Sequence, residues 1–301
     1  MSTQAEVTMP DPQTFLLPSR AYVLSMRDQN VPMREAALAD ALEHFGECAA
    51  EGGYVEQLAL VALIGEALQI VEDLGALASS LLKAPAGTAF FAALTNYNRR
   101  TVNNFYAGLH KRPDDDFLRL LGFRLGEQRL EDAFVFDPPL NDNDLAALDE
   151  AHIATARLVR RHLTTLAAEW ERYRRFHHAF KHGFLVANPE DVELVENRSE
   201  RIDGIVVWRR FRPGAEGFGQ IEPPYAETAD YVARRGRLAL DVVRYLVDTR
   251  VNVFELADFR ADGTWTLKPM RQTPWLWWFD KNDVAETTLT HLSKRFGVAF
   301  D

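Results

Sequence analysis

The stretch from Asp144 to Phe184 constrains the fold of this chain more than any other. Leu145, Leu148, His152, Ala156, Val159, Leu163, Leu166, Trp170, Tyr173, His177, Phe180 and Phe184 recur at alternating intervals of three and four residues. That spacing draws a single stripe along one side of a long helix. Gly183 and then Asn188-Pro189 provide the stop, and Asp142 or Asn143 the cap.

A second constraint comes from Leu58 to Leu82, the most apolar run of the chain, which holds Glu66, Gln69, Glu72 and Asp73 in its middle. Charges at bilayer depth cost several kcal/mol. The run is therefore expected to be a buried helix of a bundle and not a membrane span. Around these two helices the pattern predicts helices over Val31–Ala49, Tyr54–Lys83, Thr88–Leu109, Asp115–Leu121, Glu227–Phe259 and Asp283–Arg295, with Gly126 to Asn143 irregular. Val192–Asn197 and Ile205–Phe211, rich in Val and Ile around Asp203-Gly204, predict a β-hairpin, and Thr264–Leu267 a further strand. The expected fold class is mainly α: an up-and-down helical bundle over residues 19–189, preceded by a loose arm over 1–18. A smaller α+β segment with the hairpin, over 190–301, is expected to pack on the bundle.

The net charge of -10 and pI near 5.4 argue against a general nucleic-acid binder but leave room for a local basic groove. A single cysteine, Cys48, cannot form an internal disulfide, which favours a reducing compartment and a cytoplasmic protein. Met1 to Pro18 lacks a basic start followed by an apolar core, so no signal peptide is expected.

Several chemistries leave no trace. The chain has no Gly-rich phosphate loop ending in Gly-Lys-Ser/Thr, no dinucleotide fingerprint, no His-Glu-x-x-His, no cysteine pair for zinc and no Gly-x-Ser-x-Gly elbow. The Glu-x-x-His pairs of di-iron bundles are also missing. His178 and His182, four apart, make a weak metal signal without an obvious third ligand. No metal and no cofactor is expected.

What remains is one polar constellation. At about 100° per residue, Arg174 and Lys181 align on the flank of the long helix, with His177 and His178 on either side. On the apolar helix Glu66 and Asp73 align in the same way, with Gln69 beside them. A buried carboxylate without a partner costs several kcal/mol, so the acidic stripe is expected to face Arg174, His177 and Lys181. The resulting network either fixes helix register or holds an anionic ligand such as an RNA phosphate.

Glu66 and Glu72-Asp73 on an early buried helix, with Phe180-Lys181-His182-Gly183 closing a long one, resemble bacterial helical proteins placed near the HEPN (higher eukaryote and prokaryote nucleotide-binding) superfamily. The resemblance covers about Ala49 to Gly183. It implies a helical bundle, often dimeric, with a part in toxin, phage-defence or RNA-processing systems. HEPN ribonucleases carry an arginine followed four to six residues later by a histidine. Arg172 with His177 or His178 fits that spacing, but Arg172 and His177 point about 140° apart on an ideal helix. Arg175 and His182 align, on the side away from the apolar stripe. If the chain is an enzyme, these two make it a metal-independent endoribonuclease: His182 as base toward a ribose 2′-hydroxyl, Arg175 steadying the phosphate. The residue after each arginine departs from the family pattern, being Tyr173 and Phe176. The alternatives are an RNA-associated interaction module, or a structural bundle without catalysis.

Arg198, Arg201, Arg209, Arg210 and Arg212, with Arg234, Arg235 and Arg237, form either a phosphate-binding face or a solvated surface. The Trp275 to Phe279 cluster either stacks bases or closes a core or subunit contact.

Overall fold

The computed structural model describes residues 20–83, 87–125, 128–181, 186–187, 199–202, 205–208, 225–255, 257–259, 265–267 and 277–300. Nine α-helices are described within them: α1 (Arg20–Ser25), α2 (Val31–Ala49), α3 (Gly53–Lys83), α4 (Gly87–Thr95), α5 (Arg99–Gly108), α6 (Asp114–Leu121), α7 (Asp142–Lys181), α8 (Tyr225–Glu255) and α9 (Glu286–Phe296). A π-helical turn, Met26–Asn30, joins α1 to α2. The protein is mainly helical, and no helix among the described residues is long and apolar enough to cross a membrane.

The expected stripe of α7 is buried along its length. Leu148, Val159, Leu163 and Leu166 have no exposed surface, and His152, Ala156, Trp170, Tyr173 and His177 are buried with them. Its cap is one residue earlier than expected. The Asn141 side chain accepts the Asn143 and Asp144 N–H groups, and the Asp144 carboxylate accepts the Asn141 N–H at 3.0 Å. These reciprocal bonds satisfy donors that a helix start leaves open.

The single helix expected over Thr88–Leu109 is two. Asn98 takes an extended conformation (φ -141°, ψ 170°), and its side chain accepts the Thr101 N–H. An asparagine that offers the next helix a cap competes with continuing the previous one.

Extended segments are two to four residues long. β1 (Arg124–Leu125) pairs antiparallel with β2 (Gln128–Arg129). β5 (Ile205–Trp208) lies between β3 (Val186–Ala187) and β4 (Ser199–Ile202), and β6 (Ala257–Phe259) pairs with β7 (Trp265–Leu267). The hairpin expected over Val192–Asn197 and Ile205–Phe211 is not supported as drawn. Residues 192–197 and 209–211 lie outside the described residues, and the pairing that is described runs Ser199↔Trp208 to Ile202↔Ile205.

The chain forms two compact units. The first comprises Met1–Asp28, Ala76–His162 and Val242–Asp301, the second Gln29–Gly75 and Leu163–Asp241. The expected boundary at residue 189 lies outside the described residues, and the chain changes unit within α3, α7 and α8.

In the first unit, Gly122 ends α6 with φ +78°. Arg250 of α8 donates Nη2 to the Leu120 carbonyl at 2.7 Å and Nη1 to the Leu246 carbonyl at 2.8 Å. Burial pushes this guanidinium down to about 10. The Leu120 carbonyl at the negative end of α6, with the Leu246 carbonyl of α8, gives the buried cation its compensation.

In the second unit, Gly236 of α8 packs closely against α2 and α3. A methyl group there would stand 2.9 Å from Leu38 Cδ2 and 3.2 Å from Ala67 Cβ. Gly236→Ala should therefore destabilise the protein by about 1–3 kcal/mol through overpacking. Helix propensity alone would favour alanine by about 0.5–1 kcal/mol. Thermal unfolding followed by circular dichroism decides the sign; an unchanged or raised Tm would mean that the contact relaxes without cost.

Candidate functional site

The polar constellation of the second unit rests on the two faces of α3. Adjacent helical residues point about 100° apart, so Glu72 and Asp73 address different neighbours.

Asp73 turns to α2. Arg34 Nε and Nη2 each lie 2.9 Å from Asp73 Oδ2, and Gln69 Nε2 donates to Oδ1 at 2.8 Å. Arg34 Nη1 is also 4.0 Å from Glu66 Oε2. Burial pushes the Asp73 carboxyl up, outweighing the opposing pull of Arg34 and Gln69.

Glu72 turns to α7. His177 Nε2 lies 2.8 Å from Glu72 Oε2, and both side chains are buried. The Trp170 ring meets the His177 ring edge to face at 5.9 Å. His177 Nδ1 is buried and makes no hydrogen bond among the described residues.

Farther along α7, the buried Glu169 accepts the Tyr231 hydroxyl of α8, and Arg235 Nε stands 3.9 Å from the same oxygen. The Arg235 guanidinium lies over the Tyr231 ring at 4.8 Å. Burial, then the Glu169 carboxylate, push the Tyr231 hydroxyl up.

The expectation that Glu66 and Asp73 are neutralised by Arg174 and Lys181 is corrected. The cation of Asp73 and Glu66 is Arg34, and Arg174 pairs with Glu171 on its own helix. The acidic helix does meet the long helix, but through Glu72 and His177. The side chains of Arg175, His178 and Lys181, and all of His182, lie outside the described residues. The proposed pair Arg175–His182 is thus not placed. Of the C-terminal arginines, Arg234 and Arg237 are exposed, Arg235 belongs to the Glu169 group, and those from 198 to 212 lie outside the described side chains.

Arg34 was the residue missed. Its signal was present: Val31, Leu38, Phe45 and Cys48 are the buried positions of α2, and Arg34 shares their stripe at i+3 from Val31 and i-4 from Leu38. A cation inside an apolar stripe implies a buried acid opposite.

The first unit buries two further acid–histidine pairs. Glu131 lies 3.1 Å from His152 Nδ1, with both side chains enclosed. Asp144, at 1% exposure, receives His291 Nε2 at 2.7 Å and Arg295 Nε at 3.3 Å from α9. No group of three or more His, Cys, Asp or Glu side chains suited to a metal ion occurs among the described residues. No protein-family model, curated protein or solved structure matches the chain.

Two measurements check this assignment. In a double-mutant cycle, Arg34→Ala and Asp73→Ala should couple by about 0.5–3 kcal/mol, while Asp73→Ala and Arg174→Ala should add; the reverse result would restore the opposing-stripe arrangement.

The second concerns acid. Burial works to raise Asp144, but the Asn141 N–H, His291 and Arg295 outweigh it and hold its carboxyl below the usual range. Glu131 is likewise lowered, with His152 overcoming burial. A depressed carboxyl contributes stability above its unfolded value that is lost as pH falls through its folded value. Asp73, being raised, has the opposite sign, and its cost disappears in acid. Asp144→Asn should therefore lose stability less steeply than the parent below about pH 4 in acid-unfolding curves; parallel curves would remove Asp144 from the account.

Proposed function

We propose that the chain is a HEPN-like helical module of a bacterial defence or stress system. It acts by holding RNA or another phosphate-bearing ligand against the last turns of α7, and does not cleave it. The observation that carries this reading is the Glu72–His177 pair. Arg172 and His177 have the arginine-to-histidine spacing of HEPN ribonucleases, yet His177 is 3% exposed and bonded to a buried carboxylate. A general base must come within hydrogen-bond reach of the hydroxyl it serves, and this ring offers solvent no nitrogen. Its role is to tie α7 to α3.

Binding is supported by what the tie leaves outside. Arg172 is exposed and Arg174 half-buried beside it, while Arg175 and Lys181 follow in the same turns of the sequence. The acids inside the second unit are matched by Arg34, His177, Tyr231 and Arg235, so the network serves as scaffold and the outward arginines as the binding face. A homodimer, implied by the resemblance, would double that face.

Fluorescence anisotropy with a labelled single-stranded RNA tests the reading. Binding should strengthen at low salt with a log–log slope of about -0.7 for each phosphate neutralised. Arg172→Glu with Arg174→Glu should weaken it at least about tenfold, with the helical circular dichroism unchanged. No binding at low salt, or unchanged binding by the double variant, would overturn the proposal. Cleavage that survives a chelator and vanishes in His182→Ala would replace it with the ribonuclease reading.

A further inference from the structure

A separate corner of the first unit gathers cations around a small opening. Leu118, Phe123, Arg124, Arg129, Asp149, His152 and Ile153 line a depression with room for roughly one water molecule. Its floor is rigid. The Phe123 and His152 rings stack at 4.0 Å and 11°, and Glu131 Oε1 lies 3.1 Å from His152 Nδ1.

The rim is cationic. Arg124 and Arg129 come from the two strands of the β1–β2 ribbon, and each side chain is about one-third exposed. Ile153 of α7 is exposed beside them, and Arg157 follows it one turn later on the exposed side of the same helix. Residues four apart on a helix are neighbours.

The charges cancel only in part. Asp149 binds Arg129 Nη2 at 2.6 Å and offsets one of the three guanidiniums. Asp115 forms a longer ion pair with Arg124, 3.9 Å from Nε, while bound to Arg119 at 2.6 Å, and the buried Glu131 carboxylate also interacts electrostatically with Arg129. Among the described residues no carboxylate engages Arg157. Each guanidinium has five N–H donors in a planar fork, more than a single ion pair uses.

We propose that this corner binds a phosphate-sized oxyanion, with Arg124, Arg129 and Arg157 donating to its oxygens and one oxygen entering the depression over the Phe123–His152 floor. The chemistry is that of a phosphate group, either free or carried as the monoester of a small molecule. Asp149 opposes the anion, so the affinity expected for inorganic phosphate is modest, with a Kd on the order of 1 mM.

The full chain is titrated with inorganic phosphate at constant ionic strength. The amide resonances of Phe123, Arg124, Arg129 and Ile153 are followed by NMR, with chloride as the control. A saturable shift that chloride does not reproduce is expected. Arg124→Gln with Arg129→Gln, both at the surface, should weaken binding at least about tenfold and leave the circular dichroism unchanged. The Arg172→Glu and Arg174→Glu variant should retain it, which separates this site from the RNA-binding face. A second titration with a nucleoside monophosphate distinguishes the sources: tighter binding than inorganic phosphate assigns the site to a monoester, equal binding to the free ion. Shifts that chloride reproduces, that persist in the arginine variant, or that never saturate would overturn the proposal.

Discussion

A carboxylate on a helix that is apolar on almost every side must find a proton donor or a cation before that helix can be enclosed. This requirement governs the structure. Leaving such a group unmatched costs several kcal/mol, against a total stability of about 5–15 kcal/mol. The protein meets it repeatedly with partners from other elements: Arg34 for Asp73, His177 for Glu72, Tyr231 for Glu169, His152 for Glu131, His291 and Arg295 for Asp144. Each match also fixes which face of one helix meets which face of another, because an ion pair has a geometry and an apolar contact has much less.

The same economy separates scaffold from function in the second unit. Groups that satisfy one another inside the unit cannot also serve a ligand without leaving a partner unmatched. The groups left for function are those that stand at the surface, outside this buried network. Histidine content alone is therefore a poor guide to chemistry in this chain. His152 and His177 occupy core positions with carboxylates, and their rings pack against Phe123 and Trp170. Both serve packing and charge compensation together.

Much of this was legible in the residue order. The stripe from Leu148 to His177 was readable because three-and-four spacing is a property of a single helix, and α2, α3, α6, α8 and α9 were recognisable for the same reason. The break at Asn98 was written in the sequence as well, but a capping side chain and a mid-helix asparagine look alike until the backbone chooses. The identity of Asp73's partner was harder. Arg34 and Arg174 both lie on helices able to reach an acidic stripe, and distance along the chain does not rank them. One position decides the matter: Glu72, next to Asp73, takes the α7 side and leaves Asp73 facing α2.

The sequence by itself determined most of the helical segments and which side of each is apolar, because both follow from local spacing and backbone preference. It also determined that acids would stand on the apolar helix, but not which of them is enclosed: Glu72 is buried, whereas the Glu66 and Asp73 side chains expected to be buried are each 35% exposed. Only the tertiary structure decided which cation meets which acid and that the chain divides into two units that each draw on α3, α7 and α8. Pairing depends on the rotation of neighbouring helices about their axes, and that rotation is set by close contacts such as Gly236 against Leu38 and Ala67. Such contacts join residues far apart in sequence, and no local pattern encodes them.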